Sequence, residues 1–376
     1  MELQEPKSQR LASLIITHQC NLNCVYCYEK HKSDKQMDYQ TAIGIISKEY
    51  ELVKNSSKFD GLEIDFFGGE PLIAFDLIRQ ATDWIVAQSW DIPYRLFVVT
   101  NGTLLNSEMK AYCSEHKDIL TLGLSFDGSP EMQNANRSQS NTQVDLDFFV
   151  ETYPTQPLKM TISKETLPHL AEGVLYLQEK GFIVQPSVGC GLDWTEEDCR
   201  EYERQLYILA QTYLNTTELR PIDLLTTHFS AITQPILERT PCGAGDSFET
   251  YDVDGSRYPC HMFTPLVQIE SISEQFKNME EGVSGKPDSN CEKCLLVNIC
   301  DPCRGYNLSK FGNCERRDTS ICDMFQSQCR VASWYQIKFF EQRKAEIKDC
   351  SPDEMQDWKG LIYYQRHPEL VGYGRE

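Results

Sequence analysis

Three cysteines in one short loop constrain this chain more than any other feature. Cys20, Cys24 and Cys27 are spaced C-x3-C-x2-C within Thr17-His18-Gln19-Cys20-Asn21-Leu22-Asn23-Cys24-Val25-Tyr26-Cys27-Tyr28. The loop directly follows a strand-like apolar run, Leu11–Ile16. Three thiolates on a tight loop suit three irons of a cubane iron–sulfur cluster. No fourth cysteine is close by, so the fourth iron would stay open to a small molecule. A structural zinc site needs four ligands, commonly in two pairs, and this stretch offers no second pair.

The rest of the composition fits metal chemistry. The chain has 376 residues and 16 cysteines, so disulfides or metal ligands must account for most of them. Met1-Glu2-Leu3-Gln4-Glu5 lacks a basic region followed by an apolar run, so no secretory signal is expected. No apolar stretch approaches the length of a membrane span, and a cytoplasmic location without membrane partners is expected. In a reducing compartment the cysteines are metal or redox ligands rather than disulfides. Nine of them lie between Cys242 and Cys329, while Cys113, Cys190, Cys199 and Cys350 are scattered and read as ordinary thiols. A net charge of −20 argues against a nucleic-acid partner, since phosphate binding needs clustered Lys and Arg.

Strand and helix alternate over the first half. Leu11–Ile16, Leu62–Phe67, Arg95–Thr100, Leu120–Phe126, Leu158–Ile162 and Phe182–Val188 read as strands. Tyr39–Lys54, Ile73–Gln88, Ser107–His116 and Leu167–Lys180 read as helices. About six β/α units with near-continuous apolar strands predict a parallel sheet with helices outside. The informative turns, Gly68-Gly69-Glu70-Pro71, Thr100-Asn101-Gly102 and Ser125-Phe126-Asp127-Gly128, all fall at strand C-termini, where βα barrels build their active sites. Thr195 before Glu196-Glu197 predicts another helix start.

Cys20-Asn21-Leu22-Asn23-Cys24-Val25-Tyr26-Cys27 resembles the signature of the radical S-adenosylmethionine (SAM) enzymes. In that family the open iron binds the amino and carboxylate groups of SAM, which the reduced cluster cleaves to methionine and a 5′-deoxyadenosyl radical. The resemblance implies a partial (β/α)6 TIM-like barrel, with Cys20, Cys24 and Cys27 as metal ligands. It also implies Tyr26, Gly68, Gly69, Glu70, Asn101 and Ser125 as SAM-binding residues. Arg137 is a candidate for the SAM carboxylate, but the preferred reading is a solvated surface arginine.

The second cysteine field resembles the SPASM domain, a C-terminal extension of some radical SAM enzymes that holds two auxiliary [4Fe–4S] clusters. Cys242, Gly255 and Cys260 give C-x12-G-x4-C, and Cys291, Cys294, Cys300 and Cys303 give C-x2-C-x5-C-x2-C. The family's third spacer is one residue longer. The resemblance implies Cys242, Cys260, Cys303 and a candidate fourth ligand, Cys314, on the first auxiliary cluster. Cys291, Cys294, Cys300 and Cys322 fall on the second, and Cys329 is expected to be free. A zinc ribbon would explain Cys291 to Cys303 but not Cys242, Gly255 and Cys260. Expected boundaries are 1–194 for the barrel, 195–235 for a helical bridge, 236–350 for the SPASM domain and 351–376 for a C-terminal tail.

The resemblance implies a SAM-dependent oxidoreductase with three [4Fe–4S] clusters, acting on a peptide. Anaerobic sulfatase maturases carry a general-base Asp immediately after the second SPASM cysteine, where this chain has His261. That substitution, with Arg304-Gly305-Tyr306-Asn307 and Arg317-Asp318, is more like the maturases of ribosomally made peptides that form thioether or carbon–carbon cross-links. His261 is then a candidate acid/base. The expected partners are a ribosomal precursor peptide and an external electron donor such as flavodoxin or ferredoxin. About ten residues precede the first strand, too few for a leader-binding domain, so leader recognition falls to another chain or another surface. The competing readings are a sulfatase maturase making formylglycine and, in a different class, a non-catalytic multi-cluster electron carrier.

Overall fold

A computed structural model describes residues 6–238, 240–280, 282–343 and 351–374. Met1–Glu5 and Cys350, on which two of the expectations above rest, lie outside the described residues. The elements in order are β1 (Gln9–Thr17), α1 (Tyr39–Lys54), β2 (Gly61–Gly68), α2 (Phe75–Ala87), β3 (Tyr94–Thr100), α3 (Ser107–Glu115), β4 (Leu120–Leu124), α4 (Pro130–Asn136), α5 (Leu146–Thr152), β5 (Leu158–Ile162), α6 (Leu170–Glu179) and β6 (Val184–Val188). Then follow α7 (Glu196–Asn215), β7 (Phe248–Tyr251), β8 (Arg257–Tyr258), α8 (Glu270–Ser273), α9 (Arg304–Phe311), α10 (Thr319–Arg343) and α11 (Pro352–Arg366). Among the described residues no helix is long and apolar enough to cross a membrane.

The chain forms two compact units. The first comprises Met1–Phe126, Arg137–Lys159 and Pro241–Val283; the second comprises Asp127–Asn136, Met160–Thr240 and Ser284–Glu376. The first unit's sheet has the order β4-β3-β2-β1-β7-β8. Strands β1 to β4 and β7 are parallel, and β8 returns antiparallel as a hairpin. Its central strands are buried on both faces, which is why Leu14, Ile15, Ile16, Leu62, Ile64 and Phe66 run with little alternation. Helix α1 is capped by Asp38, whose side chain accepts from Thr41 N–H, and buries Ala42, Ile45, Ile46 and Val53 on one face.

Strand β7 pairs with β1 in the register Leu11 to Phe248 and Leu14 to Tyr251, so residues 241–283 belong with the barrel strands and not with the later cysteines. A buried polar knot fixes this pairing. Arg10 Nε donates to Glu49 of α1 at 2.9 Å and its Nη2 to Glu249 of β7 at 2.5 Å. Tyr251 hydroxyl donates to the same Glu49. Glu49 is fully buried, and Arg10 and Tyr251 supply the donors that its carboxylate needs there.

In the second unit, α7 begins with a capping box of Thr195 and Asp198 and packs along α10. Strands β5 and β6 form a separate pair. Residues 351–374, expected as a tail, carry helix α11, capped by Ser351 and Glu354. Its Leu361 and Tyr364 join Phe229, Ile232, Leu296, Cys329, Ala332 and Val371 in one apolar cluster.

Candidate functional site

The three-cysteine loop leaves β1 at Thr17 and is clamped to the ends of β2 and β3. Gly69 N–H donates to Thr17 carbonyl at 3.0 Å and Glu70 N–H to Gln19 carbonyl at 2.8 Å. No side chain fits in that clamp. A Cβ on Gly68, whose φ is +132°, would stand 2.1 Å from Thr17 oxygen, and one on Gly69 would stand 2.2 Å from Gln19 oxygen. The Gly-Gly pair therefore lets the cluster loop lie directly against β2.

Glu70 and Asn101 are fasteners of this clamp. Glu70 is buried, and its carboxylate accepts from Leu72 N–H at 3.1 Å, Thr100 hydroxyl at 2.6 Å and Asn101 N–H at 2.8 Å. Burial pushes its pKa up, against the pull of these donors and of Arg137. Asn101 Nδ2 donates to Asn21 Oδ1 at 3.0 Å, and Asn101 Oδ1 accepts from Thr103 N–H and hydroxyl. Asn21 in turn donates to Thr103 at 2.8 Å, closing a ring between the cluster loop and the end of β3. Ser125 follows β4 and is half-buried, held by its backbone N–H on Thr100 carbonyl at 2.9 Å.

Cys20, Cys24 and Cys27 are all half-buried. Lys32 lies near all three. Burial alone would lower its pKa, but Cys27, Cys20, Glu29 and Cys24 together push it up, so one ammonium lies within electrostatic reach of all three thiols. Lys32 Nζ is steadied on Leu22 carbonyl at 3.2 Å. Glu29 is buried beside it, and desolvation first, then Glu70, pushes its pKa up to about 8 against the pull of Lys32. Nothing in the local sequence marks Lys32 or Glu29 as part of the site.

Arg137 corrects an expectation. It is not a solvated arginine: it is 7% exposed, and its guanidinium lies over the Tyr26 ring at 5.4 Å from the centroid. Its charge also reaches Glu70. A cation and an aromatic face thus stand together beside the cysteine loop.

His261 lies against Phe67 at 4.8 Å, Tyr28 at 5.6 Å and Phe248 at 6.2 Å between ring centroids. It remains partly accessible, yet desolvation among these rings pushes its pKa down to about 4. At neutral pH it is uncharged and able to accept a proton. Phe67 and Phe248 share the sheet face opposite α1 with Ser13, Asp65 and Thr250, one row apart along the strands. Burial pushes Asp65 up to about 7, although Ser13 donates to it at 3.1 Å. The cluster loop is braced from the same side by Asp252, which takes His18 Nε2 at 2.6 Å.

The glycine of the C-x12-G-x4-C pattern has a local reason. Gly255, with φ +79°, makes the tight turn between β7 and β8, and its N–H donates to Asp252 carbonyl at 2.8 Å. Cys260 follows that hairpin and is buried, whereas Cys242 is exposed. Both belong to the first unit; Cys303 and Cys314 belong to the second.

Within the second unit, Cys291, Cys294, Cys300 and Cys322 act on one another electrostatically. Burial, then Asp288 and the neighbouring thiols, pushes Cys291 up to about 12, and burial pushes Cys300 up to about 11. Thiols this basic stay protonated at neutral pH unless a metal takes the proton's place. Arg317 is 6% exposed, acts on Cys291, Cys300 and Cys322, and its Nε has no hydrogen-bond partner. An orphaned buried donor beside three of these thiols fits an acceptor-rich iron–sulfur cluster. Cys303 caps α9, its sulfur accepting from Tyr306 N–H at 3.4 Å, and a second buried arginine, Arg304, lowers the pKa of Cys314 against a stronger upward push from burial. Among the described residues no three Cys, His or carboxylate groups converge as tightly as a single metal ion requires. A cubane binds each thiolate through a different iron, so its ligands stand farther apart.

The family described as a 4Fe-4S single cluster domain matches residues 10–144. An uncharacterised Methanocaldococcus jannaschii protein is 33% identical over 172 residues, 44% of this chain and 57% of that protein, so the match spans little more than half of that relative. The radical SAM cyclopropyl synthase TigE of Paramaledivibacter caminithermalis is 23% identical over 83% of this chain and 71% of its own length. A cysteine-type anaerobic sulfatase-maturating enzyme of Clostridium perfringens is 26% identical over 77% of this chain and 87% of its own. Among solved structures, anSMEcpe with bound AdoMet aligns with a TM-score of 0.62 at 18% identity, covering 90% of this chain and 98% of that one. Streptococcus suis SuiB bound to precursor peptide SuiA aligns with a TM-score of 0.58 at 16% identity, covering 83% and 76%. The structural likeness is one of fold, the α/β partial barrel. In sequence the chain is thus similar to radical SAM proteins, among them a cyclopropyl synthase and a sulfatase-maturating enzyme, and in fold to anSMEcpe and SuiB.

Proposed function

We propose that the chain is a SAM-dependent peptide maturase that installs an oxidative intrapeptide cross-link, thioether or carbon–carbon. The observation that carries this is the double cysteine inventory: one triad within reach of Lys32 at the barrel strands' C-terminal ends, and a separate set of four thiols, three of which feel the charge of Arg317. A plain electron carrier has no use for the first arrangement, with its clamped loop and the Arg137–Tyr26 pair. Cys20, Cys24 and Cys27 would hold the SAM-binding cluster, and Cys291, Cys294, Cys300 and Cys322 one auxiliary cluster. By their spacing in the sequence alone, Cys242, Cys260, Cys303 and Cys314 are the candidates for the other.

When bound, the first cluster and SAM supply a 5′-deoxyadenosyl radical that takes a hydrogen atom from the peptide. The chain's own residues position and shield. Tyr26 would face the adenine, Arg137 the SAM carboxylate, and Ser125 a remaining polar edge. Gly68, Gly69, Glu70 and Asn101 would act by holding the loop in place. His261, neutral at pH 7, would accept the proton released when a thiol or aromatic carbon joins the peptide radical. One electron would have to leave with that proton, and a cluster held by the later cysteines would supply an acceptor for it.

SuiB bound to a precursor peptide supports a peptide substrate. Cross-linking should remove two hydrogens, about 2 Da, per modification, with fragmentation suppressed between the joined residues; mass spectrometry of an incubated precursor peptide tests this. The sulfatase-maturating relative favours a second outcome, conversion of a Cys or Ser to an aldehyde, which would overturn the cross-link and the role given to His261. An unchanged mass with an inverted centre would indicate epimerisation instead.

Ligand assignment has its own test. Cys322 accepts from Gln326 Nε2 at 3.2 Å and stands in the first turn of α10. Cys329 is fully buried in the apolar cluster with Leu296 and Leu361. Cys322→Ala should lose about four irons per chain, and Cys329→Ser should keep them. The reverse pattern in an iron assay would move the ligand to Cys329.

A further inference from the structure

We propose that Arg317 donates a hydrogen bond to the cluster carried by Cys291, Cys294, Cys300 and Cys322 and raises its reduction potential, poising that centre to take up an electron. This deepens the function proposed above and rests on its cluster assignment. Arg317 sits where the two chain segments bearing these cysteines meet. Its backbone N–H donates to Asp288 Oδ2 at 2.8 Å, three residues before Cys291, and Cys322 follows five residues later. Its side chain is almost fully buried, and Nε has no partner. A buried charged donor left unpaired is costly, so the geometry calls for an acceptor at that point.

The flanking carboxylates do not supply it. Asp288 accepts from Arg317 N–H, Asn290 N–H and Tyr373 hydroxyl. Asp318 takes Lys310 at 3.0 Å and Ser320. Arg317 opposes the rise in pKa of Cys190, Cys291, Cys300 and Cys322, so its positive charge is felt by three of the four thiols as well as by Cys190.

Two further donors reach the same sulfurs. Gly372 N–H lies 3.4 Å from Cys294 Sγ, and Gln326 Nε2 lies 3.2 Å from Cys322 Sγ. Gly372 belongs to a C-terminal segment pinned beside these cysteines by Leu295 N–H on Leu370 carbonyl and Gly374 N–H on Asn290 carbonyl, both 2.8 Å. Reduction adds negative charge to a cluster and its thiolates. Hydrogen bonds to sulfur, a nearby cation and a shielded site all bear on that charge, and the first two favour the reduced state. Arg304 acts on Cys314 in the same unit, and its Nη1 donates to Cys314 carbonyl at 3.5 Å.

The test uses full-length, anaerobically reconstituted protein and redox titration followed by electron paramagnetic resonance. Arg317→Met should lower the midpoint potential of one auxiliary centre by at least a tenfold change in its reduction equilibrium, 59 mV for a one-electron couple. The other centres should not move. Arg317→Lys keeps the charge but loses Nε, so its shift should be smaller and in the same direction. Unshifted potentials in both variants, with iron content equal to wild type, would overturn the role of Arg317. Should Arg317→Met lose iron, the lysine variant decides alone: a downward shift supports the role and no shift removes it. A wild-type chain that takes up zinc and no iron would sink the cluster assignment itself.

Discussion

Replacing Cys20, Cys24 and Cys27 together by Ala is expected to remove one cluster, about four irons per chain, and to bring SAM cleavage to background. No other thiol can substitute from within the loop, because the next cysteine in sequence is Cys113, which is fully buried. Lys32 would lose the three cysteine sulfurs that raise its pKa and would keep Glu29 and the Leu22 carbonyl. The clamp itself uses backbone groups, Glu70 and Asn101, none of which the substitutions touch. The variant should therefore fold, keep the iron bound by the later cysteines, and differ only in the first site. Iron and sulfide assays, with chromatographic detection of 5′-deoxyadenosine, separate the outcomes. Full iron content with intact SAM cleavage would mean that the triad is not the cluster site.

The strands were legible in the sequence because a parallel sheet covered on both faces writes itself as short, near-continuous apolar runs. Leu158–Ile162 and Tyr39–Lys54 fall at the positions the apolar pattern indicates. What the pattern could not carry was non-local. Phe248–Tyr251 is only four residues long, and its place beside β1 depends on Arg10, Glu49 and Glu249, which lie far apart in the chain. The short helices α4 and α5 are seven residues each, too brief for helical periodicity to stand out. Arg137 looked like an ordinary surface cation because nothing adjacent to it in sequence is aromatic; its partner, Tyr26, lies more than a hundred residues earlier.

The candidate site was legible in a different way. The cysteine spacings and the glycine turns name ligands and tight approaches, since only those residue types serve there. They do not distinguish a residue that touches a ligand from one that holds the scaffold. Glu70 has the composition of a ligand for an ammonium group, yet three protein donors occupy its carboxylate. Arg317 was noted only as part of a sequence similarity, and its significance comes from burial and an unpartnered Nε, which no spacing encodes.

Gly68→Ala should reproduce much of the triple-cysteine phenotype without touching a ligand. The added methyl would meet Thr17 carbonyl at 2.1 Å, and the backbone φ of +132° is one that alanine rarely adopts. The strained backbone costs about 1–3 kcal/mol, and the overpacking adds about 1–3 kcal/mol. Both act where β1 turns into the cysteine loop. Against a typical stability of about 5–15 kcal/mol the sheet survives, so the strain is relieved locally by moving Thr17 and the loop away from β2. A displacement that costs the reacting geometry about 2.7 kcal/mol lowers the rate about a hundredfold. SAM cleavage should therefore fall by about that factor, with iron lost from the first site alone. Gly44→Ala is the matched control: it is exposed on α1, nothing lies within 4 Å of the added atom, and helix propensity favours the change. It should raise stability by about 0.5–1 kcal/mol and leave cleavage unchanged. Thermal melts, iron content and 5′-deoxyadenosine yield for the pair decide the matter. A Gly68→Ala protein with wild-type iron and wild-type cleavage would show that the cluster loop does not depend on its close passage over the end of β2.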